Sequence, residues 1–301
     1  MPELFNVEEA VINPMTEEQW AEVLRRQGKR VVSHRGRYWI EPVRGFYEPV
    51  HWLATLTEEE ATRPKFGCWG FRTRLKDAAS GLANGTMPVQ LCSNVADYSE
   101  QTLTSGRRNH LRRCRKRVQI VQLKNGQILR DQGYDVMLSA IRRTDYGQAP
   151  ELEQYSSSVD LLVQDPHMMV LAGLAGDRLA GYMTGYAVGD VAYIQNVFLA
   201  TEFLSTYVGT GLPFEFVQAC RRAGTIRQVV YGLHSIEDPR LCTFKAGMGF
   251  PPANLPTRFS IQPMVGMFLR YRYPYKFYRL TGQHPKKVEE GPSSSTETED
   301  C

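Results

Sequence analysis

Apolar residues in the middle of the chain follow strand spacing, with glycine turns between the runs. Residues 167–175 and 178–188 are two such runs, and the Gly176-Asp177 pair between them is a hairpin signal. A second turn signal, Gly189-Asp190, leads into a third run over residues 191–200. The pattern predicts three consecutive antiparallel strands.

Helical spacing replaces strand spacing after residue 208. Gly209-Thr210-Gly211 is followed by apolar residues at Leu212, Phe216 and Ala219, which fall on one face of a helix. Pro213 is expected in the first turn, where its missing N–H costs nothing. A glycine-rich turn at a helix N-terminus exposes backbone amides, and the helix dipole adds positive potential, so the turn predicts an anion site. The alternative interpretation of a lone Gly-x-Gly is an ordinary turn.

Helices and strands alternate irregularly through the rest of the chain. Strands are expected over residues 30–40, 47–55, 89–93, 118–123, 226–233 and 259–270. Helices are expected over residues 14–27, 97–117, 134–143, 152–163 and from Asp238-Pro239 through Lys245. Residues 64–87 carry no assignable pattern.

The order of hairpin, strand, glycine loop, helix, strand and short helix resembles the GNAT superfamily of acyl-CoA-dependent acyltransferases. The phosphate-loop pattern of that superfamily is Arg or Gln, two residues, Gly, one residue, then Gly or Ala. The chain has Gly209 and Gly211 at the glycine positions but Thr206 at the first position. Gly249-Phe250 matches the Gly-Phe that closes the last helix, whereas Lys245 replaces the usual tyrosine of that helix. The resemblance implies an α/β (α+β) fold with a mixed, mainly antiparallel sheet flanked by helices.

A narrower resemblance is to the FemAB-like branch, which includes Fem-type peptidoglycan aminoacyltransferases. Phe244-Lys245 with Gly247 is similar to a Phe-Lys…Gly pattern there, and Arg107 to Cys114 resembles the basic helix that opens a second GNAT-like half. The resemblance runs from residue 105 to residue 279. The expected domains are an N-terminal α/β subdomain over 1–104 and an acyltransferase domain over 105–283, followed by a polar, disordered tail over 284–301. The N-terminal subdomain is a candidate for a reduced second GNAT-like half. The long helical hairpin of the peptidoglycan enzymes has no counterpart.

The resemblance implies acetyl-CoA or another acyl-CoA as the co-substrate. Its pyrophosphate would be held by the backbone amides of Val208, Gly209, Thr210 and Gly211. Its pantetheine arm would pair like an added strand with the backbone of Asn196, Val197, Phe198 and Leu199. The alternative interpretation of these last four residues is an ordinary central strand.

Acyl transfer to an amine needs a base for the ammonium proton and donors for the tetrahedral oxyanion. The candidate catalytic residues are His234, Gln195 and Lys245. His234 is favoured as a base because imidazole titrates near neutrality, although a histidine at a strand end is often structural. Further polar candidates are Tyr193, the alternative bases Glu202 and Glu237, and the thiol of Cys242. No metal site is expected, because the six cysteines are scattered without Cys-x-x-Cys spacing.

Seven Arg or Lys residues, one His and no acid lie between Arg107 and Arg117. Three interpretations stay open: a solvated helix face, a docking patch for an anionic substrate, and contact with the phosphates of RNA or tRNA. The run from Phe268 to Tyr278 alternates rings with cations, and packing onto the core is favoured over a stacking surface for bases or sugars.

Composition excludes few classes of function. The chain has 301 residues, 42% hydrophobic and 23% charged, with a net charge of +4, which is ordinary for a folded protein and does not by itself indicate nucleic-acid binding. No run is long and apolar enough to predict a membrane span, and the N-terminal residues lack the pattern of a signal peptide, so a cytoplasmic location is expected.

The sequence therefore predicts an N-acyltransferase that moves an acyl group from acyl-CoA to a small or medium amine acceptor. Two alternatives remain: a Fem-type aminoacyltransferase that uses aminoacyl-tRNA, and a non-catalytic GNAT-fold protein that binds a ligand or a partner. Thr206 and Lys245, which depart from the GNAT pattern, favour the last of these.

Overall fold

The computed structural model describes residues 4–76, 81–144 and 147–284. The strands are β1 (Leu4–Asn6), β2 (Val31–His34), β3 (Arg37–Val43), β4 (Phe46–Pro49), β5 (Thr55–Leu56), β6 (Gly70–Leu75), β7 (Gly85–Cys92), β8 (Gln119–Leu123), β9 (Met169–Ala175), β10 (Arg178–Val188), β11 (Val191–Leu199), β12 (Gln228–Leu233) and β13 (Pro252–Ile261). The helices are α1 (Glu17–Arg26), α2 (Ser105–Arg115), α3 (Tyr134–Thr144), α4 (Leu152–Gln164), α5 (Val208–Ala223), α6 (Pro239–Gly247), α7 (Pro263–Arg272) and α8 (Pro274–Thr281).

These strands form one sheet in the order β1-β8-β9-β10-β11-β12-β7-β13-β6-β4-β3-β2, with β5 paired to β6. Parallel pairing occurs between β11 and β12, between β4 and β6 and between β5 and β6, and the other strand pairs described are antiparallel. The three strands predicted around the Gly176 and Gly189 turns are β9, β10 and β11, and they are consecutive antiparallel neighbours. The mixed, mainly antiparallel sheet predicted from the sequence is confirmed.

The two-residue period of the strands divides their side chains between two faces of the sheet. In β9, Met169 and Leu171 join the core that lies under α5, whereas Val170 and Ala172 join the core under α3 and α4. Both faces are covered, which explains why β9 and β10 read as continuous apolar runs.

Helix α5 is the best-buried helix of the described chain, and Leu212, Phe216 and Ala219 face the core as predicted. The helix begins at Val208, so Pro213 is its sixth residue. The expected position of Pro213 in the first turn is wrong, and its missing N–H leaves the carbonyl of Gly209 without the usual intrahelical bond.

Several predicted helices and strands have other boundaries in the structure, because turns interrupt them at positions that the apolar pattern does not mark. The predicted strand over 30–40 is a hairpin, β2–β3, because Arg35 and Gly36 both take positive φ angles. The predicted helix over 97–117 begins only at Ser105, after a separate 3₁₀ turn. The predicted late strand over 259–270 is wrong beyond Ile261, because Pro263 starts α7. The unassigned stretch contains β6.

Strand β7, from the first predicted domain, lies between β12 and β13 of the second. Its register places Leu91 opposite Val230 and Val89 opposite Ala253. One sheet thus runs through both segments, and the proposed boundary after residue 104 stays a prediction. The predicted tail, apart from His284, lies outside the described residues.

Candidate active site

Strands β11 and β12 separate after three paired positions. They are in parallel register only from Val191 opposite Gln228 to Tyr193 opposite Val230. β11 continues to Leu199 while bonded on its other side to β10. The pairing of β11 with β10 shifts by one residue here: Ile194 lies opposite Gly185, whereas Asn196 lies opposite Thr184. Gln195 is therefore the extra residue of a β-bulge. The far half of β11 therefore has one edge that β12 does not cover.

The loop that follows β11 ends in an uncommon backbone conformation. A 3₁₀ turn, Thr201–Thr206, leads to Tyr207, whose φ of 62° lies in the left-handed region. A non-glycine residue there is uncommon, and such strain tends to persist where the surroundings fix it, often at functional loops. Tyr207 is the N-cap of α5 and provides no side-chain cap.

Of the first four backbone amides of α5, two have hydrogen-bond partners in the described chain and two do not. Those of Thr210 and Gly211 donate to the carbonyl of Tyr207, at 2.8 and 3.3 Å. Those of Val208 and Gly209 have no hydrogen-bond partner within the described residues. Helix amides without partners attract anions, but Val208 is fully buried in the core, so Gly209, which is partly exposed, is the predicted cradle residue whose amide a ligand can reach.

The two glycines of the loop are required by packing. A Cβ added to Gly211 would lie 2.5 Å from Cδ1 of Ile120 and 2.7 Å from Sγ of Cys114, and one added to Gly209 would lie 2.7 Å from Cδ1 of Leu199. The loop is therefore seated closely on β8, β11 and α2. The Gly-x-Gly signal in this sequence is explained by these contacts whether or not a phosphate binds.

Helix α2 places basic side chains beside the loop. Arg113 donates to the Tyr207 hydroxyl at 3.2 Å, and Arg117 donates to the carbonyl of Ser205 at 2.9 Å. The ring of His110 stacks on that of Tyr207, with centroids 4.2 Å apart. Burial lowers the pKa of His110, and the charges of Arg107 and Arg113 lower it further, so the ring is neutral at neutral pH.

The first position of the GNAT loop pattern carries no cation in this chain. The hydroxyl of Thr206 donates to the carbonyl of Phe203 at 2.6 Å and so closes the 3₁₀ turn. Arg113 reaches the same loop from α2, and Arg117 reaches it from the turn after α2. Part of the basic cluster predicted from the sequence therefore converges on the predicted anion site.

Lys245 and His234 lie together where β12 leaves β11. The amine of Lys245 is buried and donates to the carbonyl of Tyr231 at 2.8 Å, one residue beyond the last paired position. Burial lowers the pKa of Lys245 to about 8. Burial also lowers the pKa of His234, and His284 and Lys245 lower it further, which places these two candidates within electrostatic reach of each other.

The partner of His234 was not found from the sequence. Its Nδ1 lies 3.0 Å from the hydroxyl of Tyr278 in α8. Tyr278 belongs to the aromatic and basic run from Phe268 to Tyr278, which was expected to pack onto the core. The expectation holds for Phe277 and Tyr278, which are buried, and is wrong for the exposed rings before them. Nothing in the pattern of that run distinguishes Tyr278 from its exposed neighbours Tyr271 and Tyr275.

Gln195 lies across the opening from these residues. It is exposed, and its Oε1 accepts from the hydroxyl of Thr184 at 3.4 Å. The next residues, Val197, Phe198 and Leu199, are half-buried on the strand whose edge is uncovered. No hydrogen bond joins Gln195 to His234 or Lys245 among the described residues.

The other polar candidates are occupied elsewhere. Tyr193 is buried, and its hydroxyl bonds to Nδ1 of His51 at 2.6 Å and to the amide of Leu53 at 3.2 Å. Glu202 and Glu237 form ion pairs with Arg178 and Arg279 respectively. The thiol of Cys242 donates to the carbonyl of Ser235 at 3.1 Å.

Metal clusters and membrane-spanning helices are both absent from the described residues. Those residues contain no cluster of three His, Cys, Asp or Glu side chains that is arranged to hold a metal ion. None of their helices has the length and apolar composition to cross a bilayer.

Two solved structures share most of this architecture. One is the C-terminal DUF2156 domain of a putative lysylphosphatidylglycerol synthetase from Agrobacterium fabrum, with a TM-score of 0.58 and 12% identity over 89% of this chain and 98% of that one. The other is FemX, with a TM-score of 0.55 and 8% identity over 87% of this chain and 96% of that one. No protein-family model matches the chain, and no curated protein sequence matches it.

These likenesses identify the fold. The chain has the fold of GNAT-type acyltransferases, in the arrangement that FemX and the synthetase domain share along nearly their whole length. The resemblance predicted from the glycine loop, Lys245 and the order of elements is confirmed at this level.

Proposed function

We propose that the protein transfers an acyl group from acyl-CoA, with acetyl-CoA as the first candidate, to an amine acceptor. The observation that carries the proposal is the separation of β11 from β12, with the uncovered edge of β11 leading to the amide of Gly209, which has no hydrogen-bond partner among the described residues. An uncovered strand edge accepts an extended amide-bearing chain, and open helix amides accept a phosphate.

The diphosphate of CoA fits the charge of the loop. The amide of Gly209 would bind one of its oxygens, and the dipole of α5 would favour the negative charge. Arg113 and Arg117 would supply the cationic partners that Thr206 cannot. Thr210 and Gly211 would shape the loop, because their own amides are already bonded to Tyr207.

The pantetheine arm would lie along Val197, Phe198 and Leu199, whose backbone is covered by β10 on one side only. Its amides would pair with that backbone as a short additional strand. The thioester would then reach the opening between Gln195 on β11 and Lys245 beside β12.

The chemistry proposed is direct attack. His234, neutral because its pKa is lowered, takes a proton from the acceptor ammonium, and the amine nitrogen attacks the thioester carbon. The Lys245 ammonium and the Gln195 amide stabilise the oxyanion. Collapse breaks the carbon–sulfur bond, and the leaving thiolate of CoA takes up the proton that the attacking nitrogen loses as it becomes an amide. Binding both substrates in one cleft supplies a large part of the rate by proximity.

Isothermal titration with acetyl-CoA tests the binding half of the proposal. The variant Arg113→Gln/Arg117→Gln should weaken binding roughly ten-fold or more, because each charge-assisted hydrogen bond contributes about 1.5–3 kcal/mol. The variant Arg112→Gln/Lys116→Gln is the matched control, since it removes the same charge from exposed positions of the same region. Equal losses in both variants, or no binding by the wild type, would overturn the diphosphate assignment.

A substitution at Gly211 is a poor test of binding. Any side chain there meets Cys114 and Ile120, so a charged residue would disturb the packing of the loop before it repelled a phosphate. The arginine variants avoid this difficulty because their side chains lie on the surface of α2 and the turn after it.

A second candidate is aminoacyl transfer from charged tRNA. The observation that favours it is the density of cations from Arg107 to Arg117, where Arg115 alone forms ion pairs among the described residues. Tight tRNA binding that weakens steeply with salt, and that Arg112→Glu/Arg113→Glu abolishes, would select this donor over CoA. Acetyl-CoA binding without any acyl product would instead select the non-catalytic alternative.

A further inference from the structure

Helix α7 stands on the surface with an apolar face that no described residue covers. None of its residues is buried, and Met264, Met267, Phe268 and Tyr271 are 82, 69, 57 and 89% exposed. The half-buried residues Val265 and Leu269 are apolar as well. Large apolar side chains on a surface are ordinary when scattered, but a contiguous group of four marks an interaction surface.

The four exposed residues form one stripe. At ~100° per residue, positions 264, 267, 268 and 271 fall within an arc of about 100° on the helix. Val265 and Leu269 fall on another side, which accounts for their partial burial. The helix therefore rests on the protein by one side and presents a second apolar side outward.

Cations border the stripe, and acids are absent from the surrounding sequence. Arg272 and Arg270 project on opposite sides of it, and Lys276 follows in α8. No Asp or Glu occurs in residues 252–284. Arg270, Arg272 and Lys276 form no ion pair within the described residues and instead lie over the rings of Phe277 and Tyr273.

We propose that α7 docks the protein on the surface of a membrane that contains anionic phospholipid. An apolar stripe with basic residues on its borders is the arrangement in which a helix lies in the interface, with apolar side chains among the acyl chains and cations among the phosphates. Tyr271 at the basic end of the stripe suits the interface, since tyrosine has an apolar body and a polar tip.

Other occupants fit the surface less well. Bound RNA would use rings for stacking, but the stripe begins with Met264 and Met267, which have no π face. A second copy of the chain in an antiparallel two-fold contact would leave the bordering arginines without an acidic partner on the facing helix, because residues 252–284 hold no Asp or Glu. An anionic lipid surface complements both the stripe and its borders.

Vesicle co-sedimentation tests the proposal, with phosphatidylcholine vesicles compared with mixed phosphatidylcholine–phosphatidylglycerol vesicles. The wild type should bind the anionic vesicles more tightly, and added salt should weaken that binding. Met264→Ser/Met267→Ser should reduce the partition coefficient roughly ten-fold or more through lost apolar burial. Arg272→Gln/Lys276→Gln should reduce it for anionic vesicles only.

Matched controls separate this helix from general surface properties. Val43→Ser/Phe66→Ser removes two exposed apolar side chains elsewhere, and Arg112→Gln/Lys116→Gln removes the same charge from the α2 region; both should bind vesicles as the wild type does. Hydrogen exchange on vesicles should protect residues 263–273. Because no acyl donor is present, these results are independent of the proposed chemistry.

Three results would overturn the proposal. The first is no binding to anionic vesicles, and the second is an equal loss in the control variants. The third is that Met264→Ser/Met267→Ser abolishes self-association or RNA binding while vesicle binding is unchanged, which would assign the stripe to a second copy or to nucleic acid.

Discussion

The Nδ1 atom of His51 lies 2.6 Å from the hydroxyl oxygen of Tyr193, the last residue of β11 that pairs with β12. The hydroxyl also accepts the amide of Leu53, and it can donate its own hydrogen to Nδ1 of His51 when that nitrogen carries no proton. His51 comes from the N-terminal segment, and Tyr193 stands where the candidate site opens. The bond therefore ties that segment to the base of the site, and burial lowers the pKa of His51 and so favours the neutral imidazole.

Acid should destabilise the protein through His51. Burial lowers its pKa from 6.5 to about 4, so the unfolded state takes up a proton first as the pH falls. Its contribution is fully present above pH 6.5 and is lost toward pH 4, and the free energy of unfolding should decrease by about 3 kcal/mol in that window. Denaturant titrations of His51→Gln should show no such loss of stability between pH 6.5 and pH 4. Its free energy of unfolding at pH 7 should change little, because the glutamine oxygen can accept from Tyr193.

The matched control for His51 is Tyr193→Phe. It should cost about 1–3 kcal/mol at every pH, since it leaves the Leu53 amide unpaired in the interior. It should nevertheless keep the acid-dependent loss, because burial is the main cause of the lowered pKa. If His51→Gln and the wild type lose stability in parallel below pH 6.5, the imidazole is not the group responsible.

Lys245 should have the opposite pH window. Its pKa is about 8 in the folded state and 10.5 as the ordinary value, so the unfolded state holds the proton longer as the pH rises. Loss of the buried charge should raise the free energy of unfolding by about 3 kcal/mol between pH 8 and 10.5, relative to Lys245→Met. The measurement is the difference in the free energy of unfolding between the wild type and Lys245→Met. The difference is needed because buried tyrosines and cysteines with raised pKa values lower the stability of both proteins in the same pH range.

The pH dependence of activity follows from the same two side chains. Under the proposed chemistry, kcat/KM for acetyl-CoA and an amine should fall in acid as His234 is protonated, and above about pH 8 as Lys245 loses its proton. Lys245→Met should lower the rate and remove the alkaline limb. His234→Gln should lower the rate and remove the acid limb. A profile whose limbs survive both substitutions would assign the proton transfers to other groups.

The sequence predicted the sheet more fully than the site, for a physical reason. Strand spacing and glycine turns are local, so β9, β10 and β11 could be placed within two residues. The placement of β7 between β12 and β13 depends on contacts far apart in the sequence, and no local pattern carries them. The same holds for Tyr278 against His234 and for Arg113 against Tyr207. The loop glycines were visible, but their contacts with Ile120 and Cys114 were not.

Gly211→Ala should destabilise the fold through overcrowding. The added methyl would meet Ile120 and Cys114 at distances far below contact, and overpacking of a core typically costs about 1–3 kcal/mol. Ile120→Val removes the Cδ1 atom that lies nearest, so the double variant should recover part of the loss, measured by chemical denaturation. Additive effects of the two substitutions would show that the crowding lies elsewhere.

A buried ion pair should provide the largest single loss of stability in the N-terminal part of the sheet. Arg72 on β6 reaches Glu48 on β4, with Nε 2.9 Å and Nη2 2.8 Å from one carboxylate oxygen, and both side chains are buried. Arg72→Met leaves the carboxylate buried without its cation and should lower the free energy of unfolding by about 3–5 kcal/mol.

Arg72→Met/Glu48→Met removes both charges and should be clearly more stable than the single variant, since replacing both members of a buried pair is often close to neutral. Both variants also lose the bond from Arg72 to the carbonyl of Arg279. Denaturant unfolding of the two proteins therefore shows whether stability is lost through the unpaired Glu48 carboxylate or only through that bond. Equal stability of the single and double variants would mean that the Glu48 carboxylate finds enough solvation without Arg72.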